Sequence, residues 1–182
     1  MGGPVVSDEA LMAQVINGNR GSLELLVRRH ADALLTFLCR NLRNWHKAEE
    51  LFQEVFLAVW TKRNLFDTQR PFKPWLYAIA VNKVRERFRH PPTPFGLEDE
   101  SLTPDKEDAP EKALLRAELA ETIKAAVGQL PEQQRMVVTL RVWNGLSYAE
   151  IAESMEVKEP TVRSHMHHAL AALRRLLAEH LV

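Results

Sequence analysis

Residues 91–110 contain Pro91, Pro92, Pro94, Pro104 and Pro110, half of the ten prolines in the chain, together with Gly96, Ser101, Thr103 and most of an acidic block. Proline offers no backbone donor and turns the residue before it away from helix. So dense a run of it, with few side chains able to anchor a core, reads as an extended linker. That stretch constrains everything else. It divides the 182 residues into two units, 1–90 and 111–182, each the size of a small domain.

Hydrophobic residues make up 46 % of the chain, enough for packed cores. Glycine is scarce, at seven, and no stretch alternates polar with apolar as a half-buried strand does. The expected class is all-α. Upstream, the patterning predicts helices over roughly 8–17, 21–43, 46–63 and 74–89. The first stops near Asn17-Gly18-Asn19, and Pro74 suits the first turn of the fourth, where no donor is required. In the third, Ala48, Leu51, Phe52, Val55, Phe56 and Val59 recur at three- and four-residue steps and define one buried face. Downstream, helices are expected near 111–127, 131–143, 147–155 and 160–178, with Pro131 opening the second and Asn144-Gly145 closing it.

The net charge is zero, but the mean is the wrong quantity for a binding argument, because ligands respond to local fields. Residues 1–90 carry 14 Lys/Arg against 9 Asp/Glu, residues 91–112 carry 2 against 7, and residues 113–182 carry 8 of each. A basic block, an acidic block and a neutral block lie in series. The single cysteine, Cys39, excludes a disulfide framework and sits in an apolar helical stretch, so it reads as core. No apolar run approaches the ~18 residues needed to span a bilayer, and Met1 to Ser7 lack the basic and apolar regions of a signal peptide. A cytoplasmic protein with no membrane span is expected.

Residues 147–177 carry the most specific local signal. Ser147 and Glu150 have the S-x-x-E spacing of a capping box, which fixes a helix start. Ile151, Ala152 and Met155 give that helix an apolar face, and Glu156-Val157-Lys158 forms the turn. Pro160 starts a longer helix in which Val162, Met166, Ala169, Leu173 and Leu176 form an inward stripe. The opposite face begins with Thr161, Arg163, Ser164, His167 and His168. These are hydrogen-bonding and cationic groups at the end of a helix-turn-helix that enters the major groove. Arg163 suits guanine O6/N7 or a phosphate, and Ser164 a phosphate. The bland alternative is a helical hairpin with a solvated face. His165 and His168, one turn apart, invite a metal, but no cysteine or second histidine cluster completes a tetrahedral set, so no metal or cofactor is expected.

From Phe72 to His90, Asn82, Arg85 and Arg89 share one helical face, with Lys83 and Arg87 in an adjacent row. Leu76, Ile79, Ala80 and Val84 can pack inward. Trp75 and Tyr77 lie near the start, beside Phe66 and Phe72. Cations beside aromatics suit a partly unpaired strand, the cations holding phosphates and the aromatics stacking on bases. The loop-like segment from Asn64 to Lys73 supplies material for a pocket around an extruded base. The alternative places Trp75 and Tyr77 in the core and the arginines on a solvated face. On the third helix, Glu50, Gln53, Glu54, Leu57 and Thr61 fall opposite the buried stripe, a leucine among acids and an amide of the kind protein-docking patches use.

Taken together, these pieces resemble the extracytoplasmic-function (group IV) sigma factors of bacteria, over nearly the whole length and in the family's order. Residues 47–60, KAEELFQEVFLAVW, look like the polymerase-binding helix of the sigma-two domain. Residues 72–89, with a W-L-Y-x-I-A-x-N core, look like the helix that reads and melts the −10 element. Residues 130–135, LPEQQR, and 145–152, GLSYAEIA, look like the opening of the sigma-four domain, and 161–168, TVRSHMHH, like its −35 recognition helix. The resemblance implies that Glu50, Gln53, Glu54 and Leu57 contact core RNA polymerase. It implies that Trp75, Tyr77, Asn82, Arg85 and Arg89 serve the −10 element, and that Thr161, Arg163, Ser164, His167 and His168 serve the −35 element. Promoter DNA, core RNA polymerase and an anti-sigma factor are the implied partners. His165 and His168 stand where relatives often carry arginine, and Glu156 where the turn often has glycine.

Two other readings compete. One is a stand-alone helix-turn-helix regulator whose N-terminal unit senses a ligand or dimerises. The other is a metal-dependent hydrolase built on the histidines, which lacks paired carboxylates, a nucleophile motif and a Gly-rich phosphate loop. No catalytic residues are expected.

Overall fold

The structure is a computed structural model that describes residues 6–89 and 110–178, the side chains of 110–117 excepted. The described residues form helices and no strand: α1 (Asp8–Ile16), α2 (Arg20–Leu42), α3 (Trp45–Thr61), a 3₁₀ turn (Arg63–Leu65), α4 (Phe72–Arg89), α5 (Pro110–Gly128), α6 (Glu132–Val142), α7 (Tyr148–Met155) and α8 (Glu159–Ala178). The expected linker lies outside the described residues except for Pro110, which opens α5.

Short polar side chains set the helix starts. Ser7 Oγ accepts from the Ala10 amide at 3.2 Å, Asn19 Oδ1 from Ser22 at 3.2 Å and Asn44 Oδ1 from Lys47 at 2.9 Å, each satisfying a donor the helix itself leaves open. Such caps contribute ~1 kcal/mol apiece. The stripe on α3 is buried as its spacing requires, through Ala48, Leu51, Val55, Phe56 and Val59. It packs on α2 and α4, while α1 closes the other side of α2. In the second unit α6 and α7 pack on α8.

The units do not stand apart. α4 lies against α7 and α2 against α6, and the buried apolar side chains of both halves form one continuous core. Polar contacts with long sequence separation cross the seam, three of them as follows. The Asn41 amide donates to Thr139 Oγ1 at 3.1 Å, the Asn144 amide donates to the Ala33 carbonyl at 2.9 Å, and Ser154 Oγ donates to the Pro74 carbonyl at 3.0 Å.

Cys39 is 5 % exposed, and burial, with the Glu49 charge assisting, pushes its thiol up to about 11. The neutral thiol therefore suits the fold, and the thiolate does not. Stability from this group is complete below the ordinary thiol value of 9.0 and is lost as pH rises towards about 11. The thiolate is the reactive form, so native alkylation by iodoacetamide at neutral pH should run on the order of 100-fold slower than in denaturant. Equal rates in the two states would contradict this burial.

Candidate nucleic-acid and protein interfaces

The capping box at the start of α7 is complete. Ser147 Oγ accepts from the Glu150 amide at 3.2 Å, and the Ser147 amide donates to Glu150 Oε2 at 2.7 Å. The turn into α8 passes through Glu156, whose φ of 55° is in the left-handed region that favours glycine. α8 then buries Val162, Met166 and Ala169. Thr161, Arg163, Ser164, His167 and His168 are all exposed on its outer side, and His165 is half-buried. The helix therefore presents the five predicted residues together, as one polar, partly cationic face. The His167 and His168 rings meet edge-on at 5.8 Å. Among the described residues no cluster of three His, Cys, Asp or Glu side chains is placed to hold a metal ion.

Arg163 is held by two neighbours. Its Nε and Nη2 donate to Glu159 Oε1 at 3.0 and 2.5 Å, and its guanidinium lies 4.6 Å from the centre of the Tyr148 ring. Arg141 lies over the same ring at 5.1 Å. The Glu159 pair is solvent-exposed, so it orients the arginine at little energetic cost to a competing phosphate or base. Tyr148 and Arg141 were not anticipated. The Glu159–Arg163 spacing of four residues was the legible clue, and nothing local marks Tyr148 as the platform.

On α4 the structure separates residues that sequence placed together. Leu76, Ile79, Ala80 and Val84 are buried, as expected. Asn82 and Arg89 are exposed, whereas Arg85 is half-buried and turned into the seam, donating to the Met155 carbonyl at 3.0 Å and to Gln133 Oε1 at 3.1 Å. Asn82 lies 3.4 Å from Glu156 Oε1. Tyr77 corrects the expectation of a ring offered to bases. It is 0 % exposed, set edge-on to Phe37 at 5.5 Å, and its hydroxyl accepts from the Asn144 amide at 2.6 Å. Burial raises its phenol pKa well above the ordinary value, with the Asn144 bond opposing only part of the rise. Tyr77 is therefore a core residue in this arrangement. Trp75 is half-buried, 5.1 Å from Phe66 and 6.1 Å from Phe72. Beside it, Leu65 is 77 % exposed at the end of the 3₁₀ turn.

Lys83 and Arg87, read from sequence as a second cationic row, are claimed by α3. Lys83 Nζ meets Glu54 Oε2 at 2.9 Å, and Arg87 meets Glu54 Oε1 at 3.0 Å and Glu50 Oε2 at 3.3 Å. Residues four apart on one helix face residues four apart on the other, so the charges pair across the groove. This leaves Gln53 and Leu57, the latter 63 % exposed, as the uncommitted part of the α3 outer face, with Glu50 and Glu54 at its edge. No helix among the described residues is long and apolar enough to cross a membrane.

Comparison with known proteins accounts for both units. The sigma-70 region 2 family matches residues 26–90 and the sigma-70 region 4 family matches residues 120–173. The RNA polymerase sigma-H factor of Pseudomonas aeruginosa is 31 % identical over 180 residues, covering 93 % of each chain. The ECF RNA polymerase sigma factor SigW of Bacillus subtilis is 31 % identical over 176 residues, covering 91 % of this chain and 94 % of SigW. Among solved structures, CnrH in complex with the cytosolic domain of CnrY superposes with a TM-score of 0.73 at 27 % identity, over 94 % of this chain and 97 % of CnrH. The similarity runs through both units, which a stand-alone regulator with a sensing domain would not show. The chain belongs to the sigma-70 family, as an alternative sigma factor of the extracytoplasmic-function type that binds core RNA polymerase and directs promoter-specific transcription initiation.

Proposed function

We propose a division of that activity among the surfaces described above. α8 enters the −35 major groove with Thr161, Arg163, Ser164, His167 and His168. α4 serves the −10 element with Asn82, Arg85 and Arg89, while Trp75 and the segment 64–73 frame a pocket for an unpaired base. Glu50, Gln53, Glu54 and Leu57 dock on core polymerase. The observation that carries the first assignment is the exposure of all five α8 residues on one face, directly after a capped helix and a tight turn. Residues 1–90 then form the −10 and polymerase unit, 91–110 the linker and 111–182 the −35 unit. The family is not one of enzymes, and the chemistry of initiation belongs to the polymerase. Partnership with core RNA polymerase supports reading the chain as cytoplasmic. The relative CnrH is held by the cytosolic domain of another protein, and by analogy an anti-sigma factor is a further partner here.

Arg163 gives the sharpest test. Arg163→Ala should cost ~1–3 kcal/mol in promoter binding by the holoenzyme and relax preference at one −35 position, if the guanidinium reads a base. Run-off transcription on a panel of −35 variants measures both. An equal loss on every variant reassigns Arg163 to a phosphate, and no loss removes α8 from the −35 contact.

A further inference from the structure

We propose that Glu9 of α1 is a positioning residue for −10 recognition, capping α4 from 63 residues away and so fixing the backbone at the edge of the base pocket. The inference rests on the reading above that α4 and the segment 64–73 serve the −10 element.

α4 begins without a cap of its own. Gln69, Arg70 and Pro71 precede it, and none is a Ser, Thr, Asp or Asn able to accept from the first amides of the helix. Glu9 supplies the acceptor instead, its Oε1 taking the Phe72 amide at 3.0 Å. That bond, with the Glu9 amide and the Ser7 side chain, holds the Glu9 carboxyl below its ordinary value, against partial burial and the neighbouring Asp8 charge. The hydrogen bond is therefore charge-assisted, and the carboxylate sits at the favourable end of the α4 dipole.

Asp8 acts on the same residue through its ring. Asp8 Oδ2 lies 2.7 Å from His30 Nε2, and Asp8 Oδ1 accepts from Arg29 Nη1 at 2.9 Å. The His30 ring stands edge-on to Phe72 at 5.4 Å. Phe72 is thus fixed at its amide by Glu9 and at its ring through Asp8 and His30. It backs Phe66 at 5.9 Å and Trp75 at 6.1 Å, the aromatic wall of the proposed pocket. Within the segment, the Gln69 amide donates to Asp67 Oδ1 at 2.9 Å, which sets its turn. Arg70 pairs with Glu153, and Lys73 donates to the Asn144 carbonyl, both in the second unit. Glu9 and Asp8 hold the segment from within the first unit, so their grip does not depend on how the units pack. A pocket discriminates between bases only when its walls are held to about 0.5 Å, and α1 supplies that restraint.

The test measures open-complex formation by the holoenzyme on a promoter it transcribes and on versions of that promoter substituted singly across the −10 element. Glu9→Ala should lower discrimination at the position of the extruded base about tenfold, the scale of one charge-assisted hydrogen bond, and leave the response to −35 substitutions unchanged. Glu9→Asp keeps the charge but withdraws the oxygens by one methylene, and should behave like Glu9→Ala. Glu9→Gln keeps an oxygen within reach of the Phe72 amide and should stay within about threefold of the unsubstituted protein. A cap that only stabilised the fold would slow every template alike. An equal loss across the −10 panel, or no loss, therefore overturns the positioning role, as does a Glu9→Asp protein indistinguishable from the unsubstituted one. Circular dichroism checks folding, and if Glu9→Ala is not folded, Glu9→Asp and Glu9→Gln decide the question. Asn82→Ala with Arg89→Ala, both exposed on α4, is measured on the same panel. If that pair leaves −10 discrimination intact, the −10 reading itself fails. If the pair lowers discrimination and the Glu9 variants do not, only the positioning role fails.

Discussion

Replacing Gln53 and Leu57 together with alanine is expected to weaken binding to core polymerase by ~2–4 kcal/mol, about thirtyfold or more, while helicity stays intact. Leu57 is 63 % exposed in the free chain, so its side chain is available to be desolvated by a partner. Burying a leucine contributes ~1.5–3 kcal/mol and one amide hydrogen bond ~0.5–1.5 kcal/mol. Those two contributions set the size of the loss. Neither residue supports the core, and alanine is the better helix former, so α3 itself should not suffer. Glu54 makes a poorer probe, because removing it also frees Lys83 and Arg87 from their partner. Fluorescence anisotropy of labelled chain titrated with core enzyme measures the affinity, with circular dichroism as the folding control. A loss below twofold would detach this face from the polymerase.

What the sequence disclosed and what it withheld divide along the length scale of the interactions. The helix-turn-helix was legible because its determinants are local: Ser147 with Glu150 three residues on, and Val162, Met166 and Ala169 on one stripe. Each helix limit came within two residues; the 3₁₀ turn at Arg63–Leu65 straddles the expected end of the third helix at 63 and the segment read as a loop, and α4 starts at Phe72 instead of Pro74. Pro74 still falls in the first turn, where its missing donor costs nothing. The seam was not legible. Asn144 reaches Tyr77 over 67 residues and Asn41 reaches Thr139 over 98, and no periodicity within either unit reports which face of the other it will meet. Tyr77 illustrates the consequence. An aromatic among cations reads equally as a base-stacking ring or as core, and only the tertiary contact with Phe37 and Asn144 decides for core. Lys83 and Arg87 show the same ambiguity for charge, since spacing fixes which residues share a face but not whether that face meets DNA or the acids of α3.

The seam also makes a thermodynamic prediction with a large effect. Phe37→Ala should lower stability by ~3–5 kcal/mol, through lost transfer free energy and the cavity left behind. Phe37 is 0 % exposed and packs edge-on against Tyr77. Its carbonyl accepts from the Asn41 amide at 2.8 Å, and the same carboxamide donates to Thr139 in the second unit. Damage at Phe37 therefore reaches residues that join the two halves. Small domains are stabilised by only ~5–15 kcal/mol in total, so a loss of this size is a large fraction of what holds the chain folded. Trp143 is the one tryptophan in the second unit, beside Trp45, Trp60 and Trp75 in the first, and it lies 4.0 Å beneath the Arg40 guanidinium of α2. Its fluorescence, isolated by changing the other three to phenylalanine, should follow the same denaturation curve as far-ultraviolet circular dichroism, and Phe37→Ala should shift both together. If the Trp143 signal kept its midpoint while the dichroism curve moved, the halves would be folding independently, and the seam would contribute register without stability.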